Sequence, residues 1–130
     1  MFLRTVALTG LAVIGLVACT TAPIYNVQSA PIATASGKPA TADQVRGAIV
    51  AAGSNLGWVM SDARPGVLNG KLALRSHVAE VEIPYTDRTY SIVYKSSSNL
   101  NETGGSIHKN YNGWVQNLQR DINAKLSAIN

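Results

Sequence analysis

Between Trp58 and Lys95 the side chains alternate apolar and polar with a period of two, and no other stretch constrains the fold as tightly. That period belongs to strands with one buried face. Four runs carry it: Trp58–Asp62, Val67–Arg75, Val78–Tyr85 and Thr89–Ser96. They are separated by Pro65-Gly66, Ser76-His77 and Asp87-Arg88, each suited to a tight turn. With Ser76-His77 as a two-residue loop, Leu72 opposes Val81, Leu74 opposes Ala79 and Lys71 opposes Glu82. With Asp87-Arg88 as the next loop, Tyr85 opposes Tyr90, Ile83 opposes Ile92, Val81 opposes Tyr94 and Glu80 opposes Lys95. Both hairpins then share one apolar face (Leu72, Leu74, Val81, Ile83, Ile92, Tyr94) and one charged face. A one-residue slip would turn over every side chain. Cross-strand charge pairs contribute only a few tenths of a kcal/mol each, so the apolar face sets the register. The expectation is a four-stranded antiparallel meander.

Helical spacing flanks this region on both sides. Thr41-Ala42-Asp43-Gln44 has the form of a capping box, and Val45, Ala48, Ile49, Ala52 and Leu56 follow at intervals of three and four. A first helix is predicted over Ala42–Ser54, stopped by Gly53, Asn55 and Gly57. After a polar loop over Ser96–Ser106, the stretch Ile107–Ile129 carries Tyr111, Trp114, Val115, Leu118, Ile122, Leu126 and Ile129 on one stripe. Gly113 interrupts that second helix, and close approach of another backbone is the expected reason. Two helices and one apolar sheet face predict an α+β domain of two layers over residues 41–130, with both helices on the same face.

The N-terminal part reads as an address. Met1-Phe2-Leu3-Arg4 puts one positive charge before the largely apolar run Thr5–Val17, which is shorter than the ~20 residues a membrane span needs. Leu16-Val17-Ala18-Cys19 then resembles the lipobox of bacterial lipoproteins. The resemblance implies removal of residues 1–18, fatty acyl chains of the palmitate kind on the Cys19 thiol, and acylation of the new amino terminus. Cys19 is the only cysteine of the chain, so no internal disulfide competes for it. Several acyl chains on one residue anchor stably where a single chain is marginal. Thr20 after the cysteine resembles the default for the outer membrane; Asp there would resemble the retention signal of the inner membrane. Thr20–Ala40, with Pro23, Pro31 and Pro39, has the composition of a solvated tether, so residues 19–40 are expected to be lipidated cysteine plus spacer. Ile24-Tyr25-Asn26-Val27 and Ile32 are more apolar than a spacer requires. Whether 24–32 docks as a short edge segment stays open on composition.

The net charge of +4 becomes +3 once Arg4 is cut away, with ten Lys and Arg against seven Asp and Glu. These charges are scattered, whereas nucleic-acid binding asks for a concentrated basic patch. Two histidines, His77 and His108, without a free cysteine fall short of the three or four ligands of a zinc site. Asp43, Asp62, Asp87 and Asp121 are spread over separate elements. No G-x-S-x-G occurs, and Gly104-Gly105 lacks the strand, helix and Lys-Ser/Thr of a phosphate loop. No cofactor and no catalytic residue is expected.

Three blocks carry a wider resemblance: Gly57-Trp58 with Pro65-Gly66; the run Arg75–Tyr85 (RSHVAEVEIPY) with Tyr90–Tyr94; and Asn99-Leu100 with Ile107–Val115 (IHKNYNGWV). Together they resemble a family of small, uncharacterised proteobacterial lipoproteins over about residues 24–122. The resemblance implies the address and a fold that includes Ile24–Ile32, and no reaction or ligand. Within the blocks, Arg75, His77, His108, Tyr111, Asn112 and Trp114 are the candidate binding residues. Tyr111 and Trp114 are expected in the core with polar tips at an edge, and Asn110 and Asn112 as caps. Arg75, His77 and His108 are expected to converge at one end of the sheet. The resulting expectation is a non-enzymatic envelope lipoprotein, held to the membrane by its N-terminal lipid, that binds an envelope protein or cell-wall component. The alternatives are a small-ligand binder with a helix–sheet cleft and, further off, a hydrolase.

Overall fold

The computed structural model describes residues 20–130, with Gly10 besides. The expected signal segment, residues 1–18, and the expected acylation site Cys19 lie outside the described residues. Over them the chain is α+β. The strands are β1 (Thr21–Pro23), β2 (Val27–Pro31), β3 (Val59–Arg64), β4 (Val67–Leu74), β5 (His77–Pro84), β6 (Thr89–Ser98) and β7 (Ser106–His108). The helices are α1 (Ala42–Asn55) and α2 (Lys109–Ser127).

The meander forms and gains a fifth strand. Its order is β2-β6-β5-β4-β3, every pair antiparallel, and β1 pairs separately with β7. Thr20–Ala40 is therefore built into the domain, which corrects the expected tether. Val27 is buried opposite Ile92 at the sheet edge, and Ala35 N–H donates to the Ile129 carbonyl at 2.9 Å. Ala40 is buried in the common core. Proline and small residues are compatible with an edge strand because its outer side needs no ladder bonds.

The β5–β6 hairpin follows the expected register from Tyr85↔Tyr90 to Val81↔Tyr94. A bulge then places Glu80 opposite Ser96, although Lys95 Nζ still lies 3.9 Å from the Glu80 carboxylate. The β4–β5 turn is Arg75-Ser76, not Ser76-His77: His77 opens β5 opposite Leu74, Leu72 opposes Ala79, and Lys71 opposes Glu80. Partners move by two residues, so the same face stays inward. The observed register puts Gly70 opposite Val81. A Cβ on Gly70 would come 3.1 Å from both Val81 Cγ2 and Met60 Sδ, and one on Gly53 would come 2.5 Å from Met60 Cε. Met60 thus fills the notch that two glycines leave between α1 and the sheet. Leu74, moved to the strand's end, is 43% exposed instead of buried.

The capping box of α1 is present: Gln44 N–H donates to Thr41 Oγ1 at 3.1 Å, and Thr41 N–H donates to Gln44 Oε1 at 2.9 Å. Helix α2 begins two residues later than its stripe suggests, because Ile107 pairs in β7. Both helices bury their stripes in one core with Leu68, Leu72, Ala79, Val81, Ile83, Tyr90 and Ile92 of the sheet. Gly113 has nothing within 4 Å of a Cβ built there, so no backbone approaches it and that expectation is overturned. The tight glycines are Gly53 and Gly70.

Candidate functional site

The β4–β5 turn ends the sheet where α2 begins, and it gathers three of the six candidates. Arg75 takes the first turn position with φ of 55°, a left-handed conformation that L side chains adopt rarely. Its guanidinium is exposed and makes no ion pair among the described residues. His77 Nδ1 lies 2.8 Å from the Asn99 carbonyl. A carbonyl only accepts, so Nδ1 carries the proton and Nε2 remains the free nitrogen of the neutral ring. The same ring stands 6.3 Å from that of Trp114, tilted by 51°. Asn99 Nδ2 donates to Ser76 Oγ at 2.8 Å, so Asn99 ties the turn from both sides. Leu56, Trp58, Leu72, Leu74, Trp114 and Asn117 line a groove of about 70 Å³ beside it, in which Leu56 and Leu74 are 38% and 43% exposed.

The other three candidates are engaged in building the fold. His108 is the N-cap of α2, its Nδ1 accepting from Asn110 N–H at 3.1 Å, while its own N–H donates to the Leu100 carbonyl at 2.8 Å. His77 and His108 are thus connected through the Asn99-Leu100 dipeptide. Asn112 is not a cap: its Oδ1 accepts from Tyr25 N–H and its Nδ2 donates to the Pro23 carbonyl, both at 2.9 Å. It clamps the segment between β1 and β2. Tyr111 is fully buried, edge-on to Tyr94 with ring centroids 5.5 Å apart. Its hydroxyl is buried short of any edge and has no partner among the described residues, and burial, with Tyr94 adding to it, pushes that hydroxyl far above the usual tyrosine range.

Sequence reasoning missed the role of Asn99, Leu56 and Leu74 here, and of a row of amides on α2. Asn112, Gln119 and Asn123 lie seven and four residues apart, hence on one side of the helix. Gln119 Oε1 accepts from Tyr25 Oη, and Asn123 Oδ1 from Tyr90 Oη, both at 2.6 Å. Burial, with Tyr25 adding to it, pushes the Tyr90 hydroxyl up to about 12. The amide spacing was the available signal.

At the opposite end of the sheet a cleft of about 380 Å³, open to solvent, lies between the Ile32–Ala40 loop and the β5–β6 turn, with Lys38, Asp87 and Arg88 on its walls. At the β3 edge Arg46 of α1 forks onto Asp62 at 3.0 and 2.8 Å, and Arg64 forks onto Glu82 of β5 at 3.3 Å twice. The arginine hydrogen bonds hold both carboxyls below their ordinary range. No three His, Cys, Asp or Glu side chains among the described residues are placed to hold a metal ion together. No family model, no characterised protein and no solved structure matches this chain.

Proposed function

We propose that this chain is a lipid-anchored cell-envelope protein, acylated at Cys19, whose α+β domain is a small, non-enzymatic binding module facing the periplasm from the outer membrane. Its partner is an envelope protein or a cell-wall component. The observation that supports this reading best is where the fold takes up the chain. The Thr20 carbonyl accepts from Lys109 N–H at 2.8 Å, and β1 follows at once. Thr20 itself is exposed, so the described domain takes up the chain at its own surface. The polar side chains gathered at the β4–β5 turn are bonded to backbone and to one another, which suits a shaped surface better than an acid–base pair. The groove beside the β4–β5 turn, at about 70 Å³, is well below the ~300 Å³ at which small-ligand sites begin, so this groove suits a surface contact better than an enclosed ligand.

Cys19→Ser tests the reading. Mass spectrometry should find acyl chains on the wild-type cysteine, and the variant should move from the membrane to the soluble fraction with its circular dichroism unchanged. A variant that stays membrane-bound without acyl chains would sink the proposal.

A further inference from the structure

We infer that the end of the domain carrying Thr20, the Arg75-Ser76 turn and the start of α2 is a membrane-contact surface, seated on the headgroups of an anionic bilayer. The inference rests on acylation at Cys19 as proposed above and adds an orientation to it.

The first argument is reach. Adjacent Cα atoms lie about 3.8 Å apart, and Thr20 is already bonded to Lys109. The neighbouring chain is fixed as well: Thr21 pairs with His108, Ile24 N–H donates to the Gly105 carbonyl, and Asn112 holds Pro23 and Tyr25. A flexible tether of the same twenty-one residues would have allowed roughly 25 Å of excursion. The docked chain allows one residue step, so the domain is held against the surface that its acyl chains enter.

The second argument fixes which side faces that surface. A run of bonds joins Thr20 to the β4–β5 turn: the Thr20 carbonyl to Lys109 N–H, His108 N–H to the Leu100 carbonyl, and Asn99 to both His77 and Ser76. The turn therefore shares the anchored end. Helix α2, roughly 28 Å long at 1.5 Å per residue, runs from there towards Ser127 at the far end, where Ile129 meets Ala35.

The third argument is chemistry. This end presents Arg75 and Lys109, exposed and without ion pairs among the described residues, against the single carboxylate of Glu102. Leu74, 43% exposed, stands next to Arg75. Cations that meet lipid phosphates beside an apolar side chain that enters the interface are what peripheral membrane contact requires.

The test uses the full, natively acylated chain in vesicles of phosphatidylethanolamine and phosphatidylglycerol at three to one, with a spin-labelled headgroup lipid as quencher. A polarity-sensitive fluorophore is placed at Leu74→Cys or, as the far-end control, at Arg88→Cys. Quenching at position 74 should exceed that at position 88 several-fold, and the double variant Arg75→Glu, Lys109→Glu should reduce the excess at least two-fold while its melting curve stays unchanged. Equal quenching at the two positions on an acylated protein overturns the orientation and leaves the anchor standing. An unaltered excess in the double variant overturns the headgroup contact. Absence of acyl mass on Cys19 overturns the anchor and the surface together. Photocrosslinking from position 74 in cells to a protein instead of lipid also overturns the inference.

Discussion

The two edges of the five-stranded sheet are closed in different ways. β3 is joined to its neighbour β4 by Pro65-Gly66, where Gly66 has φ of 78°, and the ladder runs from Arg64↔Val67 to Val59↔Lys71 with one irregularity between Asp62 and Arg64. It buries little, and its fastenings are a local turn and the exposed ion pairs Arg46–Asp62 and Arg64–Glu82. β2 comes from the start of the domain and pairs with a strand some sixty residues away, across a bulge at Ser29, whose φ is 49°. Side chains do much of the holding there. Asn26 Oδ1 accepts from Tyr94 N–H, Ser91 Oγ from Ser29 N–H, and Asn112 and Gln119 fasten Tyr25. A local edge can rely on its turn, whereas a distant one needs specific groups aimed at its backbone.

The largest expected effect breaks the distant edge. Asn112→Ala removes two hydrogen bonds and should cost about 2 kcal/mol in urea unfolding. Amide exchange should quicken over residues 20–31 and stay unchanged in β3. The matching cut at the local edge, Arg46→Ala, should leave the urea midpoint nearly unmoved, since exposed ion pairs contribute little. If the two variants lost equal stability, the contrast would be wrong.

Tyr111→Phe sharpens the same contrast. Among the tyrosines beneath the β2 side, Tyr25 and Tyr90 have amide partners on α2 and Tyr111 has none. Removing a buried, unpartnered hydroxyl should raise stability by about 1 kcal/mol, read as a higher urea midpoint at constant slope. Gly113→Ala, next to the clamp and open to space, should add about 0.5–1 kcal/mol by helix propensity alone. A loss there would reveal a close contact that the fold does not display.

The smallest effect is a pH dependence. Asp62 and Glu82 have folded pKa values lowered by their arginines. Their contribution is present above the ordinary carboxylate range near ~4 and is lost as pH falls through the lowered folded values. Between pH 6 and pH 3, exchange protection at Met60 and Ser61 should therefore weaken more than at Tyr25 or Ser29, whose bonds come from amides and hydroxyls. Salt of about 0.5 M should shrink the difference.

These two edges also differ in how far the sequence announces them. Alternation between Trp58 and Lys95, with three short turns, was enough to place β3 to β6 and to choose the inward face, because parity is strict for strands. It could not separate the turn Arg75-Ser76 from Ser76-His77, since both keep that parity. The two frames differ in what they put opposite Val81, and the observed one puts Gly70 there, where Met60 packs against both Gly70 and Gly53. The docking of residues 20–40 was half legible. Ile24, Tyr25, Val27 and Ile32 hinted at it, but their partners are single side chains on a distant helix, and composition is silent about those. Of the candidate residues, Arg75, His77 and Trp114 were found at one end of the sheet. His108, Tyr111 and Asn112 stood out for the same sequence reasons and proved to cap, fill and clamp.

The pairing of β1 and β2 with β7 and β6 also sets an order of events. The partners of Thr21–Pro31 lie at residues 89–108, so the first strands have nothing to pair with until most of the chain has emerged. Residues 20–31 therefore stay unpaired while β3, β4 and β5 are made. Once α2 has folded, Lys109 N–H takes the Thr20 carbonyl and the first strands are held. The strands that come first in the sequence are thus among the last to dock, and the last helix fastens them.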